Sequence, residues 1–272
     1  MLYILIFLLL ALGLGGCALS LWGWGVLAAA LLTLGVYLLL HLLFFILCWL
    51  LSLPVDRSKP IERQNPRSRA ACAIIAQILC CYGGVRAELI GLEKLPEQGR
   101  FLLVSNHRSL FDPIVAIAKL RRYNISFISK LSNMAIPMGG DIAYAAGYLG
   151  IDREDDRKAL RTILTAADYM RRGVCSMAIY PEGTRSRDGH LLPFHAGSFK
   201  AAQRANVPVV VLCAEGTEKV MKRLFLRPTR VKLTVLEVIP AEDARAMHTS
   251  ELAEHCRSLI ARYLGEETEA QP

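Results

Sequence analysis

The run Ser105-Asn106-His107-Arg108-Ser109-Leu110-Phe111-Asp112-Pro113 puts an imidazole and a carboxylate in one short segment, with four residues between them. It follows directly on the apolar stretch Phe101-Leu102-Leu103-Val104. Histidine accepts and returns a proton near neutral pH without large tuning, so it is the natural general base. A carboxylate beside it fixes the ring tautomer and steadies the imidazolium that forms. The same residues have a plainer reading. Asp112 before Pro113 is an ordinary helix start, with Asp as the N-cap and Pro at the first helical position. A cap and a histidine partner can use different carboxylate oxygens, so both readings can hold.

Three further motifs accompany the pair. Gly147-Tyr148-Leu149-Gly150-Ile151-Asp152-Arg153 precedes a long helical pattern. Tyr180-Pro181-Glu182-Gly183-Thr184-Arg185-Ser186 ends an apolar run, and Val207-Pro208-Val209-Val210 opens another. Glycines that allow close backbone approach, next to arginines that clamp oxyanions bidentately, are what a phosphate site needs. Each arginine has a rival explanation. Arg153 stands among Asp152, Glu154, Asp155 and Asp156, a solvated charge cluster on its face. Arg185, between Gly183 and Gly189, could be turn chemistry. Lys130, His190 and His195 read as surface residues.

The elements that must position these groups alternate along the chain. Strands are expected at 85–90, 101–104, 125–129, 174–180, 207–213 and 231–235, the last alternating Val231, Leu233 and Val235 with Lys232 and Thr234. Helices are expected at 67–82, 113–121, 155–172 and 249–264, the third carrying Leu160, Ile163, Leu164, Ala167 and Met170 on one face and ending at Gly173. Such alternation predicts an α/β domain, a mixed and mostly buried sheet flanked by helices. Ile74, Ile75, Ile78 and Leu79 give the 67–82 helix an apolar face, suited equally to a bilayer surface and to the domain's own core.

No Asp, Glu, Lys or Arg occurs before Asp56, yet the chain carries a net charge of +8. The uncharged leader explains a mean hydropathy of +0.35, high for a soluble protein. Residues 26–53 form a helix-compatible apolar run of about 42 Å at ~1.5 Å per residue, enough to cross a bilayer. With the Gly-rich run before it, the reading is a helical hairpin crossing twice, or one span preceded by an interfacial helix. A cleaved signal peptide is disfavoured by the absence of basic residues at the start. Arg57, Lys59, Arg63, Arg67 and Arg69 follow the leader and put the bulk of the chain on the cytoplasmic face. With this leader, the basic excess suits a membrane surface or phosphorylated substrates rather than nucleic acid. The eight cysteines show neither C-x-x-C pairs nor zinc-ligand spacing, so reduced thiols and no metal are expected. The organisation read from these patterns is an anchor at 1–55, a linker and amphipathic helix at 56–84, a catalytic domain at 85–264 and a disordered tail at 265–272.

Taken together, the four motifs resemble those of the glycerolipid acyltransferases, specifically the 1-acylglycerol-3-phosphate acyltransferases of the PlsC type. That family's blocks are N-H-x-x-x-x-D, G-x-x-F-I-D-R, E-G-T-R and a proline-containing strand, and all four occur here in order over roughly residues 85–240. The resemblance implies an acyltransferase-like fold and a direct transfer without an acyl-enzyme. His107 would be the base on a glycerol-backbone hydroxyl that attacks the thioester of acyl-CoA or acyl-carrier protein, with no other cofactor. Asp112 would orient His107. Arg153 and Arg185 would hold a phosphate, with Gly183 and Thr184 shaping the wall and Glu182 bracing an arginine. The implied partners are lysophosphatidic acid or a related lysolipid, an acyl donor and a bilayer. Gly150 stands where the second block usually has Phe, His195-Ala196 where basic residues are common, and Val211 in place of a second proline. These departures leave another acceptor open, such as a lyso-ornithine lipid. A rival of another class is a non-catalytic protein that binds anionic lipid; a hydrolase is disfavoured by the missing G-x-S-x-G elbow.

Overall fold

The computed structural model describes residues 2–186, 188–223 and 227–266. The chain divides into two compact units, Met1–Asp56 and Arg57–Pro272. In the first, α1 (Leu2–Ser20) and α2 (Val26–Ser52) pack side by side. Small residues let the backbones approach: Ala11 and Ala18 are fully buried, and a Cβ on Gly15 would lie 3.1 Å from the Ala29 carbonyl oxygen. The Phe7 ring meets His41 edge-on at 5.3 Å. Among the described residues, α2 is the one helix long and apolar enough to cross a membrane, and Leu5–Ser20 is shorter.

The second unit runs α3 (Pro66–Tyr82), β1 (Val85–Ile90), β2 (Leu102–Ser105), α4 (Phe111–Lys119), β3 (Ile125–Lys130), α5 (Leu131–Met134), α6 (Gly139–Ala145) and β4 (Leu149–Ile151). It continues with α7 (Asp156–Arg171), β5 (Ser176–Ile179), α8 (Lys200–Ala205), β6 (Val209–Glu215), β7 (Thr229–Ile239), α9 (Ala241–Ala246) and α10 (Thr249–Leu264). The strands form one sheet in the order β1-β7-β6-β2-β5-β3-β4. Only the β6–β7 pairing is antiparallel among those described. This is the mixed, buried sheet that the alternation predicts.

Every residue of β2 is buried, as expected of a central strand covered on both faces. Its side chains alternate between two cores. Leu102 and Val104 pack with α7, α8 and α10 residues such as Ile163, Ala202 and Ile260. Phe101 and Leu103 pack with Ala76 and Cys80 of α3 and Val115 of α4. The 67–82 helix therefore lies on the domain's own core, and it starts from Asn65, whose side chain accepts from the Arg67 and Ser68 amides.

The topology decides where chemistry can gather. Strands β2, β3, β4, β5 and β6 all run the same way, so the loops leaving their C-terminal ends share one edge of the sheet. That edge is where open α/β sheets bind ligands. Of the residues read as a tail, Gly265 closes α10 and Glu266 is fastened to the domain, while 267–272 lie outside the described residues.

Candidate active site

The loop after β2 is tied down before it reaches the histidine. Asn106, buried, donates through Nδ2 to the Ala214 carbonyl at 2.9 Å and accepts from the Ala214 amide at 2.8 Å. One side chain thus satisfies two backbone groups of β6 and fixes where the loop leaves the sheet.

His107 Nδ1 lies 2.8 Å from Asp112 Oδ2. The same oxygen accepts the amides of Arg108 and Ser109, each at 2.7 Å, and Oδ1 accepts the Thr217 hydroxyl. Asp112 is 1% exposed, so its oxygens are held by protein donors rather than water. The helix-start expectation is corrected here. Helix α4 begins at Phe111, and the Asp112 carboxylate reaches back to the residues before it instead of capping those after it. Nor do the cap and the histidine use different oxygens; both the amides and the ring meet Oδ2. Among the described residues His107 Nε2 has no partner, and the side chain is 14% exposed.

The ring rests face-on against Tyr180, with centroids 4.3 Å apart and planes at 21°. Burial, and then the Asp112 charge, push the Tyr180 phenol well above its ordinary value, so the platform beneath the histidine stays neutral. Two residues on, Glu182 accepts the His107 amide through Oε1 and the Leu192 amide through Oε2, the latter at 3.0 Å. It braces the backbone of the loop bearing His107, where the resemblance implies an arginine. Burial drives its carboxyl up to about 7, against the downward pull of the two amides.

Gly183 follows with φ of +69°, a left-handed turn in which a Cβ would come within 2.8 Å of His195 Nε2. Glu182, Gly183 and Thr184 line a cavity of about 600 Å³ that also takes in Arg153, His195 and Lys200. Its inner wall is apolar, with Ile128, Ile151, Ile163 and Ile179 from the sheet and α7. Tyr180 lines it as well, which puts the His107 ring behind one wall.

Arg153 occupies the short link between β4 and α7. Two of the four acids around it are otherwise engaged: Asp155 caps α7, and Asp152 pairs with Lys158 at 3.3 Å. Arg153 is exposed and has no ion pair among the described residues, and partial desolvation lowers its pKa. Arg185 is exposed and stands outside the cavity lining. Lys130, His190 and His195 are exposed too, as the surface reading has them, and the His195 ring lies against Gly183. Burial pushes the Cys80 and Cys175 thiols up to about 11 and Cys213 up to about 12, so none is a ready nucleophile.

Sequence reasoning missed three residues that hold this arrangement. Thr217 on Asp112 and Asn106 on Ala214 are contacts across more than a hundred residues. Glu266 pairs with Arg108 and accepts the Leu191 amide at 2.7 Å.

Comparison with known proteins bears on the same residues. Residues 86–215 match the Acyltransferase family model. The 1-acyl-sn-glycerol-3-phosphate acyltransferase of Escherichia coli K12 is 29% identical over 206 residues, 75% of this chain and 82% of its own length. One from Chlamydomonas reinhardtii is 30% identical over 254 residues, 85% of this chain and 73% of its own. The crystal structure of the 1-acyl-sn-glycerophosphate acyltransferase PlsC from Thermotoga maritima matches with a TM-score of 0.61 at 22% identity, over 86% of this chain and 97% of that one. That last likeness concerns the fold. Sequence relatives spanning most of both chains, and three of the four motifs gathered on one sheet edge, place this chain in the 1-acyl-sn-glycerol-3-phosphate acyltransferase family.

Proposed function

We propose that the protein transfers a fatty acyl chain from acyl-CoA or acyl-carrier protein to the free hydroxyl of 1-acyl-glycerol-3-phosphate, giving phosphatidic acid. The observation that carries this is the 2.8 Å bond between His107 Nδ1 and Asp112 Oδ2, which leaves Nε2 without a protein partner among the described residues. A ring held this way takes the acceptor's hydroxyl proton at Nε2. The oxygen attacks the thioester carbonyl carbon, the C–S bond breaks, and the proton passes from Nε2 to the departing sulfur. Asp112 orients the ring throughout. Base assistance is worth about 10²–10⁴ in rate, so positioning supplies much of the remainder.

The acceptor's phosphate is assigned to Arg153, with Arg185 approaching from outside and Gly183 and Thr184 forming the wall. A partly desolvated arginine with no carboxylate partner is suited to a dianion. Helix α2 would hold the enzyme in the bilayer where acceptor and product reside. The basic residues from Arg57 to Arg69 would keep the catalytic unit on the cytoplasmic face.

Membranes containing the protein, given acyl-CoA or acyl-carrier protein and a panel of lysolipids, test this through thiol release and lipid product. His107→Ala is expected to lower turnover by about 10²–10⁴. Arg153→Ala should raise KM for the phosphate-bearing acceptor and leave KM for the donor alone. Full activity in His107→Ala would refute the mechanism. Transfer to ornithine-based but not phosphate-bearing acceptors would replace the acceptor named here.

A further inference from the structure

We infer that Thr217 is a positioning residue for the proton transfer, fixing which oxygen of Asp112 faces His107. The inference rests on His107 being the base. A carboxylate is two-fold symmetric about its terminal torsion, which is broad and easily turned. Its two oxygens exchange roles unless something distinguishes them. Here Oδ2 gathers three donors, the His107 ring and the amides of Arg108 and Ser109. Oδ1 has a single donor among the described residues, the Thr217 hydroxyl. Thr217 is fully buried, so water cannot take its place. With that hydroxyl gone, Oδ1 is an unsatisfied buried acceptor, and rotation toward other donors would pull Oδ2 off the ring.

The backbone brings Thr217 under Asp112 by a specific device. Strand β6 ends at Glu215, and Gly216 turns the chain with φ of +82°. Gly216 is pressed so closely on β7 that a Cβ would sit 2.4 Å from the Arg230 carbonyl oxygen. The next turn is closed by the Lys219 amide on the Gly216 carbonyl and the Val220 amide on the Thr217 carbonyl, with Val220 fully buried. Together with the Asn106–Ala214 pairing, β6 and its exit turn hold the catalytic loop at both ends. The strand of the fourth motif therefore serves the chemistry of the first.

Thr217→Val keeps the shape and removes the hydroxyl, and Thr217→Ser keeps the hydroxyl. Steady-state acyl transfer is measured for both beside wild type and His107→Ala, with thermal unfolding as a folding control. Thr217→Val is expected to lower kcat by about 10–100-fold, the usual effect of losing an orienting partner, with KM for both substrates within about twofold. Thr217→Ser should stay within about threefold of wild-type kcat by the same reasoning. If the valine variant does not fold, Thr217→Ala is read against Thr217→Ser instead. An inactive His107→Ala together with an unimpaired Thr217→Val, or a serine variant as slow as valine, overturns this assignment alone. Full rate in His107→Ala overturns the general-base reading beneath it.

Discussion

Glu182→Gln preserves the size of the side chain and changes what it can accept. Both oxygens of Glu182 take backbone amides, one from His107 and one from Leu192. A glutamine offers one acceptor and one NH₂, so one amide must face a donor. Glu182 is 3% exposed, and a buried donor left without an acceptor costs about 1–3 kcal/mol. At ~2–4 °C per kcal/mol for a domain of this size, the melting temperature should fall by about 2–12 °C near neutral pH. Turnover should fall as well, because one of the two amides belongs to His107, the base proposed above. A pH series adds a sign. Burial lifts the folded-state carboxyl from 4.5 to about 7. The folded form thus holds its proton more tightly, and the resulting stabilisation is full below about pH 4.5 and lost as pH rises through about 7. A shift of that size corresponds to on the order of 3 kcal/mol. Wild type should therefore gain further on the Gln variant toward acid, the gap being narrowest at neutral pH and above. Thermal unfolding of both proteins between about pH 5 and about pH 8 reads the difference directly. Equal melting temperatures at neutral pH, or a gap that does not widen toward acid, would refute the reasoning.

Two other substitutions probe the frame. Asp112→Asn should lower kcat by about 10²–10⁴ with little change in KM, because an amide turned toward the ring favours the wrong tautomer; steady-state kinetics read it. Gly216→Ala places a Cβ 2.4 Å from a backbone oxygen at a positive φ, and should destabilise the fold by about 1–3 kcal/mol, measured by denaturant unfolding.

What could be read in the sequence was local. The strand at Val85–Ile90 and the helices at 156–171 and 249–264 follow from periodicity and end signals within one window. The chemistry of His107, Asp112, Arg153 and Glu182–Arg185 was visible because each motif sits at the end of its own strand. The partners were not visible. Glu182 contains nothing to say that it would take the His107 amide rather than an arginine, since that depends on β5 lying beside β2. Strand β4 is three residues long, too short for a two-residue period to register. Thr217 looks like any threonine after a strand until β6 is seen to flank β2. Arg185 had the right company in sequence, yet it is exposed and lies outside the cavity that Gly183 and Thr184 line.

The ion pair between Arg108 and Glu266 has a consequence for how the enzyme comes into being. Residues 158 positions apart in the chain meet beside the base. At roughly 5–20 residues per second, the ribosome needs on the order of 10–30 s to travel from one to the other. At the start of that interval the apolar leader has already been made, while the loop bearing His107 gains its fastenings from Glu182, Ala214 and Thr217 in turn and from Glu266 last. Closing such long loops is costly until the distant contacts exist to offset it. The apolar leader is thus made early and the last fastening of the site late. A chain released before its last helix would carry the leader and the His107–Asp112 pair without the Glu266 fastening of the loop between them.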